Sequence, residues 1–249
     1  MAHPDQDGLE RLEKQHIRAY FDNSRAGVFV EVGANEPVSI YSQSWHLEKE
    51  LGWHGLLIEP NPELAAKARL SRPLSTVCEC ACTSPDKVGD LELYIPLADS
   101  GEVTGHASLE INADDHHYQH HRLVGVRAVT LTDLLDRHGL NGIDLLSIDV
   151  EGTELDVLAG LDWRRYRPRL ILLEDKHVFL NKHRYLRSQG YALVKRMNGN
   201  CWYVPAGAPR PLQSLKEKIR LLKRLYLSLW GRKLRYAVQH RTLKPFRQL

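Results

Sequence analysis

The stretch LLSIDVEGTELDVLAG, residues 145–160, decides the fold. Its first part, residues 145–150, is a short apolar run typical of a buried strand, and residues 154–160 have the character of a helix. Asp149 and Glu151 fall where one element gives way to the other. Acids at such a junction are either solvated loop residues and helix caps, or they face a ligand at the carboxyl edge of a sheet.

The composition is that of a globular protein with one large domain or two small ones. The chain has 249 residues, of which 43% are hydrophobic and 26% are charged. No run approaches the ~18 consecutive apolar residues of a membrane-spanning helix, and the polar start MAHPDQDGLERLEKQ is unlike a secretory signal. Cys78, Cys80 and Cys82 alternate in VCECACT, which predicts reduced thiols on one strand face rather than a zinc site or a disulfide. A reducing cytoplasm fits this pattern best.

Charge divides the chain near residue 208. Residues 209–249 contain twelve Lys and Arg and one acid, Glu217, and therefore carry a net charge of +11. Because the whole chain carries +3, residues 1–208 carry −8. The breaker PAGAPRP (205–211) lies at the same place, so we expect an acidic folded domain, residues 1–208, followed by a basic tail, residues 209–249.

Strand and helix patterns alternate through the acidic domain. Apolar runs predict strands in GVFVEVGAN (27–35), HGLLIEPNP, STVCECACT, DLELYIPL, LLSIDV and RPRLILLEDKH. Helical patterns occupy SIYSQSWHLEKELG (39–52), ELAAKARL, TLTDLLDRHGL with Thr132 as its N-cap, and YLRSQGY. ALVKRMNGNCWYVP predicts a terminal antiparallel hairpin that turns at Asn-Gly. Together these patterns predict an α/β fold with a mostly parallel sheet and helices on both faces.

Four segments fall at the carboxyl edge of this sheet, where ligands of such folds bind: EVGAN, IEPNP, IDVEG and LLEDKH. The turn EVGANEP (31–37) has one glycine where a dinucleotide fingerprint needs three, so a diphosphate cradle is not expected. Glu59, after the second strand, can accept hydrogen bonds from ribose hydroxyls. Acids without a phosphate loop favour S-adenosylmethionine, whose ligand end is a cationic sulfonium and an amino acid.

The chain resembles the FkbM-type methyltransferases in GVFVEVGAN, SQSWHLEKELGWHGLLIEPNPELA, TLTDLLDRHGLNGIDLLSIDVEGTELDVLAGL and RPRLILLE. The resemblance runs from Val28 to Pro205 and is specific in LEKELGWxGLLIEPNP and IDVEGTELDVLxG. It implies a Rossmann-like methyltransferase fold that uses S-adenosylmethionine, usually on a hydroxyl of a sugar or related natural product. The family usually has Asp at position 31 and an acid–Gly pair near Glu36 and Pro37, so this loop departs from it.

The resemblance also implies which residues contact the cofactor. They are Glu31, Gly33, Ala34 and Asn35 at the methionine end, Glu59 and Pro60 at the ribose, Cys80 and Ala81 beside the adenine, Ser108 near the cofactor, and Asp149 facing the methyl group.

The acceptor hydroxyl sets the chemical requirement, because it hardly ionises near neutral pH and needs a base or a metal. Asp149, Glu174 and Asp175 would supply oxygen ligands suited to Mg²⁺ or Mn²⁺. Strand-end acids that are merely solvated are the alternative. His177 is the most convenient candidate base. Glu151 is either a further catalytic acid or a cap of the next helix.

A histidine-rich segment, GHASLEINADDHHYQHHRLVG (105–125), interrupts the strand pattern. His116 with His120, and His117 with His121, have the i, i+4 spacing of a metal site if the segment is helical. A solvated polar insertion is the alternative. We expect a lid or an acceptor-binding region here.

The basic tail has an amphipathic pattern, in which apolar residues recur at helical spacing opposite Lys and Arg. The apolar residues are Leu215, Ile219, Leu222, Tyr226, Leu229 and Trp230. This pattern predicts peripheral contact of a cytoplasmic protein with an anionic inner membrane surface. A helix packed on its own domain, or on a second subunit of a homo-oligomer, is the alternative. Specific nucleic-acid binding is not expected, because a basic tail without an amphipathic pattern would be sufficient for that function.

Three functions are compatible with these patterns. The first is an S-adenosylmethionine-dependent O-methyltransferase acting on a sugar hydroxyl of a glycan or glycosylated natural product. The second is a catalytically inert adaptor whose basic tail binds membrane or nucleic acid. The third is RNA methylation, but the domain is acidic and SIDVEG lacks an NPPY-like pattern. The intact set of strand-end acids favours the first.

Overall fold

The computed structural model of the protein describes residues 4–97, 107–109, 120–175, 178–211 and 214–244. In these ranges the strands are β1 (Val28–Val32), β2 (His54–Ile58), β3 (Ser75–Cys78), β4 (Ala81–Cys82), β5 (Gly89–Leu97), β6 (His120–Val129), β7 (Leu145–Ile148), β8 (Leu170–Glu174), β9 (Tyr191–Met197) and β10 (Asn200–Pro205). The helices are α1 (Pro4–Tyr20), α2 (Trp45–Leu51), α3 (Pro62–Ser71), α4 (Leu131–Arg137), α5 (Glu154–Ala159), α6 (Asn181–Ser188), α7 (Leu215–Leu222) and α8 (Leu229–Gln239), with a π-helical turn at Lys223–Leu227 between the last two.

The described strands form two sheets. The larger has the order β3-β2-β1-β7-β8-β10-β9, in which the first five strands are parallel and β10 is antiparallel to both of its neighbours. The smaller has the order β4-β6-β5. Asn198 and Gly199 turn the β9–β10 hairpin with φ angles of 45° and 95°. The predicted α/β fold, with a mostly parallel sheet and a terminal antiparallel hairpin, is confirmed.

The larger sheet is buried on both faces, so its strands read as apolar runs. Residues of β1 alternate between the faces: Val30 packs with Leu134 and Leu158 of α4 and α5, whereas Phe29 packs with Ile17 and Leu47 of α1 and α2. The prediction of helices on both faces is therefore confirmed. None of the helices in the described part of the chain is both long and apolar enough to cross a bilayer.

The N-terminal helix α1 is a part of the fold that the sequence patterns did not predict. Its Glu13 is fully buried and accepts hydrogen bonds from Trp202 Nε1 at 2.8 Å and Asn200 Nδ2 at 3.0 Å. Burial raises the pKa of this carboxyl to about 7, although the two hydrogen bonds lower it in part. The polar N-terminal stretch thus attaches to the terminal hairpin through one buried acid.

The cysteine-rich stretch differs from its prediction. STVCECACT forms β3 and β4, which belong to different sheets, because the chain leaves the larger sheet after Cys78. Cys78, Cys80 and Cys82 therefore do not alternate along one strand, although all three lie in one core cluster. Together with Cys201 they are free thiols and all are buried.

Two helix starts also differ from their predictions. The N-cap of α4 is Thr130, whose hydroxyl accepts from Asp133 N at 3.1 Å. Thr132, the predicted cap, instead donates to Gly160 O at 2.9 Å and ties α4 to the end of α5. Helix α2 begins only at Trp45 rather than near residue 39, because the preceding polar residues bind a buried carboxylate of the site described next.

Candidate active site

A cavity of about 490 Å³ opens at the carboxyl edge of the larger sheet, a volume that suits a small-molecule site. Twelve of the residues singled out from the sequence line it: Glu31, Gly33, Ala34, Asn35, Glu59, Pro60, Cys80, Ala81, Ser108, Asp149, Glu151 and Glu174. Asp175 is not among the residues that line the cavity. His177 lies outside the described residues.

The turn after β1 packs directly against the end of β7. Gly33 has a φ of +82°, and a Cβ at this position would lie 1.8 Å from the carbonyl oxygen of Asp149. Asp149 N in turn donates to Val32 O at 3.0 Å. Only glycine allows both the left-handed backbone and this close approach. The glycine of EVGAN therefore holds two ligand-facing segments together.

The backbone N–H groups of this turn are engaged within the protein. Those of Gly33 and Ala34 both donate to Ile58 O, at 2.9 and 3.2 Å, and that of Asn35 donates to Glu59 Oε2 at 2.7 Å. A phosphate cradle needs such N–H groups aimed at the ligand. These three N–H groups are therefore not directed at a ligand.

The Glu59 carboxylate lies at the cavity wall with hydrogen-bonding capacity to spare. Burial raises its pKa, whereas hydrogen bonds from the backbone N–H groups of Asn61 and Asn35 lower it. A carboxylate offers about four acceptor positions, and these two bonds occupy one on each oxygen. Glu59 can thus accept two further hydrogen bonds from a ligand.

Glu31, by contrast, mainly organises the loop before α2. Its carboxylate accepts from Ser42 Oγ at 3.0 Å, from Gln43 N at 2.7 Å and from Ser44 Oγ. These bonds hold the segment in a turn and delay the start of the helix. About one acceptor position remains for a ligand.

A buried arginine fixes the same loop from the other side. Arg72 donates to Ser44 Oγ at 2.8 Å, to Pro37 O at 2.8 Å and to Glu48 Oε2 at 2.7 Å. Its guanidinium and the Glu48 carboxylate are almost completely buried, so the pair must be well hydrogen bonded to be tolerated. Pro37 thus lies in a loop whose position is set from both ends.

The carboxyl groups of Asp149 and Glu174 form the chemical centre of the cavity. They stand at the ends of the neighbouring strands β7 and β8, where their side chains come within hydrogen-bonding reach of each other. Asp149 is accessible from the cavity but is otherwise surrounded by protein. This desolvation, followed by the negative charges of Glu174, Glu151 and Glu154, raises the pKa of Asp149 well above its ordinary value.

The proposed metal set is not brought together. Asp175 turns away from the cavity towards Lys182, whose Nζ lies 3.8 Å from Asp175 Oδ1 and 2.9 Å from Glu154 Oε2. Burial lowers the pKa of Lys182, but the carboxylates of Glu154 and Asp175 outweigh this and raise it. In the described ranges no group of three or more His, Cys, Asp or Glu could hold a metal ion.

Glu151 occupies a strained turn and does not cap the helix that follows. Its φ is +54°, and its carbonyl oxygen accepts from Ser108 Oγ at 3.0 Å. The N-cap position of α5 is Thr153, and Glu154 Oε1 accepts from Gly152 N at 2.9 Å. Ser108 therefore contacts the loop after β7. This contact brings the smaller sheet to the cavity.

The wall formed by Cys80 and Ala81 is apolar. Burial raises the pKa of the Cys80 thiol to about 12, so it is neutral at physiological pH. Leu93 of β5 and Leu109 line the same cavity. This wall suits a flat apolar group.

The histidine-rich segment does not form the predicted helical pattern where it is described. His120 and His121 are the first residues of strand β6, so neither is part of an i, i+4 pair on a helix. The partners in those pairs, His116 and His117, lie outside the described residues.

Several polar residues line the cavity without having been predicted, among them Gln6, Glu10, Tyr41, Asn198 and Asn200. Gln6 and Glu10 share one face of α1 because they are four residues apart in the chain. This spacing is the one feature of the sequence that could have indicated their place in the site. Asn198 and Asn200 belong to the hairpin, where Asn-Gly predicts a turn but not a site.

The strand order with its reversed β10, together with a cavity at the carboxyl edge, defines a Rossmann-like methyltransferase domain. The family model described as the methyltransferase FkbM domain matches residues 31–193. Because this match covers more than half of the chain, the protein belongs to the FkbM methyltransferase family.

Curated sequences and solved structures do not narrow the function further. No curated protein sequence matches the chain. Among solved structures it is similar to the precorrin-6y C5,15-methyltransferase of Geobacter metallireducens GS-15, with 13% identity, a TM-score of 0.42, and coverage of 78% of this chain and 85% of that chain.

Proposed function

We propose that the protein is an S-adenosylmethionine-dependent O-methyltransferase that methylates a sugar hydroxyl in a glycan or glycosylated natural product. The carboxyl pair of Asp149 and Glu174 carries this proposal. A hydroxyl acceptor needs a base, and a carboxyl whose pKa is raised by desolvation and like charges is a stronger base than an ordinary aspartate.

The cofactor end of the cavity fits S-adenosylmethionine, which supplies a methyl group carried on a sulfonium. Glu59 would accept from the ribose hydroxyls through its remaining acceptor positions. The neutral Cys80 thiol and Ala81 would lie against the adenine. Gly33 and Asn35 belong to a turn whose N–H groups are engaged, which suits a cofactor without phosphates.

The carboxyl pair would move one proton. In this proposal the two carboxyl groups share one proton, so one negative charge remains to accept a hydrogen bond from the acceptor hydroxyl. As the oxygen gains its methyl group, its proton passes to the pair, which becomes fully protonated and neutral. Release of this proton to solvent restores the site.

The acceptor end favours a polyhydroxylated molecule. Gln6, Tyr41, Asn198 and Asn200 line this end with amide and phenol groups, although the Nδ2 atoms of Asn198 and Asn200 already donate to Glu10 and Glu13. None of the described residues that line the cavity is Lys or Arg, the residues that bind phosphates of nucleic acids. This lining supports a sugar rather than an RNA acceptor.

We also infer that the protein works in a reducing compartment such as the cytoplasm. Cys78, Cys80, Cys82 and Cys201 are thiols rather than disulfides, which is the usual state of cysteines there.

Calorimetry with S-adenosylhomocysteine tests the cofactor. The wild-type protein should bind it, and Glu59→Ala should weaken binding by ~1–3 kcal/mol through lost charge-assisted hydrogen bonds. Glu63→Ala, which removes an exposed carboxylate of α3, should leave the affinity unchanged. Binding of NAD instead, or of neither molecule, would overturn the proposal and leave the inert adaptor.

Transfer of a radiolabelled methyl group tests the acceptor. Label should enter glycans or free sugars and be stable to mild base, as an ether is and an ester is not. Label incorporated only into RNA would remove the sugar from the proposal while leaving methyl transfer.

A further inference from the structure

Helix α7 of the tail packs on β9, the edge strand of the larger sheet, and an ion pair joins the two. Glu217, the one acid of residues 209–249, lies 3.5 Å from Nζ of Lys195, a residue of β9 that is 1% exposed. The same carboxylate accepts from Ser214 N at 2.7 Å and completes a capping box at the start of α7. Glu217 thus determines both where helix α7 begins and which side of this helix faces the domain.

The side of the tail that faces the domain is well defined. Leu225 and Ala237 are buried, and the Tyr236 ring packs edge-on against Phe179 with the ring centroids 5.5 Å apart. Phe179 follows the end of β8, five residues after Glu174 of the carboxyl pair. The tail therefore reaches from the edge strand to the rim of the sheet that carries the site.

A different side of the tail is apolar and exposed. Its members, here called the apolar stripe, follow one another at spacings of three or four residues and are 56% to 73% exposed. They are Leu215, Ile219, Leu222, Tyr226, Trp230, Leu234 and Val238. Leu229, which the sequence pattern placed here, is half-buried instead. Leu222 and Tyr226 border a groove shared with the domain, but the stripe as a whole is not packed on the domain, which was one predicted alternative.

The positive charge beside the apolar stripe indicates which kind of partner binds to it. Exposed cations of the tail include Lys216, Lys218, Arg220, Lys223 and Arg235. A second copy would bring a second tail of net charge +11 against the first and be repelled. Nucleic acid would match the charge but leave seven apolar side chains in water. An anionic lipid surface matches both, since Trp and Tyr suit the headgroup region and Lys and Arg bind acidic headgroups.

We infer that the apolar stripe and its flanking cations form a docking surface for an anionic bilayer, on which the tail lies in the plane of the headgroups. The opposite side of the tail stays packed on the catalytic domain, so the domain is carried to the membrane without a flexible linker. Through Phe179 and Tyr236 the rim beside Glu174 is held at a fixed height above the lipid. Docking is independent of methyl transfer.

Co-sedimentation of the full-length protein with vesicles tests this surface. Phosphatidylcholine vesicles that contain phosphatidylglycerol should bind the protein at low salt, and vesicles of phosphatidylcholine alone should bind it at least about tenfold less. The triple variant Ile219→Ser, Leu222→Ser, Trp230→Ser should lose about tenfold or more of the binding to anionic vesicles. These side chains are exposed, so the fold should survive, as circular dichroism can check.

A matched control separates the stripe from general surface hydrophobicity. Leu70 on α3 is 90% exposed and outside the tail, so Leu70→Ser should bind vesicles like the wild type. Trp230 gives a second readout: its fluorescence should shift to the blue on binding, and the difference between wild type and Trp230→Phe isolates it from the other tryptophans.

Three results would overturn the inference. One is no binding to anionic vesicles at low salt, and another is undiminished binding by the triple variant. The third is a concentration-dependent dimer, seen by light scattering, that the triple variant abolishes while vesicles remain unbound. Cofactor affinity and methylation of a water-soluble acceptor should be unchanged in the triple variant, so failure here is distinguishable from failure of the proposed function.

Discussion

The carboxyl groups of Asp149 and Glu174 lie close enough for a hydrogen bond to each other, although they stand at the ends of two different strands. Such a bond requires a proton, because two ionised carboxylates have only acceptors. The parallel pairing of β7 and β8 brings the strand ends together, and the nearby charges of Glu151 and Glu154 make a second negative charge costly. The fold therefore creates a proton acceptor from two residues that would each be fully ionised in water.

Asp149→Asn should reduce kcat by roughly 10²–10⁴ while cofactor affinity stays within about tenfold, because a base acts in the transition state and not in cofactor binding. Turnover is measured by radiolabel transfer and affinity by calorimetry with S-adenosylhomocysteine. Full activity in this variant would show that Asp149 is not the base, and attention would pass to His177.

The pH profile of kcat should rise with pH, since the pair accepts a proton only after one of its members has ionised. The rise should lie above the usual range of an aspartate, because burial and Glu174 raise the pKa of Asp149. Glu174→Gln removes the nearest negative charge and should move the rise to lower pH. Glu151→Gln should move it less, because Glu151 contributes less to the shift. A rise that stays in place in Glu174→Gln would contradict the pairing.

Gly33→Ala should destabilise the protein by roughly 3 kcal/mol or more, for two reasons. The added Cβ would collide with the Asp149 carbonyl oxygen, and alanine would be strained in the left-handed backbone conformation of this position. Gly52→Ala is the matched control: its φ is +69°, but no atom lies within 4 Å of the added Cβ. It should cost only about 1–2 kcal/mol of backbone strain. Chemical denaturation measures both, and equal losses would show that the close approach matters little.

Stability should fall as pH rises through the titration of Glu13. Its pKa is raised from 4.5 to about 7 in the folded protein, so the stability present below pH 4.5 is lost between pH 4.5 and about 7. The shift corresponds to about 3 kcal/mol. Glu13→Gln should remove most of this dependence and be the more stable protein at pH 8, whereas the exposed Glu92→Gln should behave like the wild type. Urea unfolding at several pH values distinguishes them.

Local patterns predicted the parts of the fold and site that depend on neighbours in sequence. The strand ends at Glu31, Glu59 and Asp149 were found because apolar runs end there, and parallel pairing then places them at one edge. The direction of Asp175 could not be found this way, because it depends on Lys182, which α6 brings back to the sheet. The break after Cys78 could not be predicted from the sequence either. The chain passes there from one sheet to the other, and the local sequence pattern does not indicate this change. Division of the chain at residue 208 stays a prediction.

The buried bond between Glu13 and Trp202 joins residues that are 189 positions apart in the chain. During synthesis, at ~5–20 residues per second, the ribosome delivers Trp202 about 10–40 s after Glu13. Over that interval the helix that carries Glu13 has no hairpin on which to bury its acid, and the carboxylate stays ionised in water. The bond between α1 and the hairpin can therefore form only after the hairpin has been made, and burial of Glu13 then takes up a proton near neutral pH.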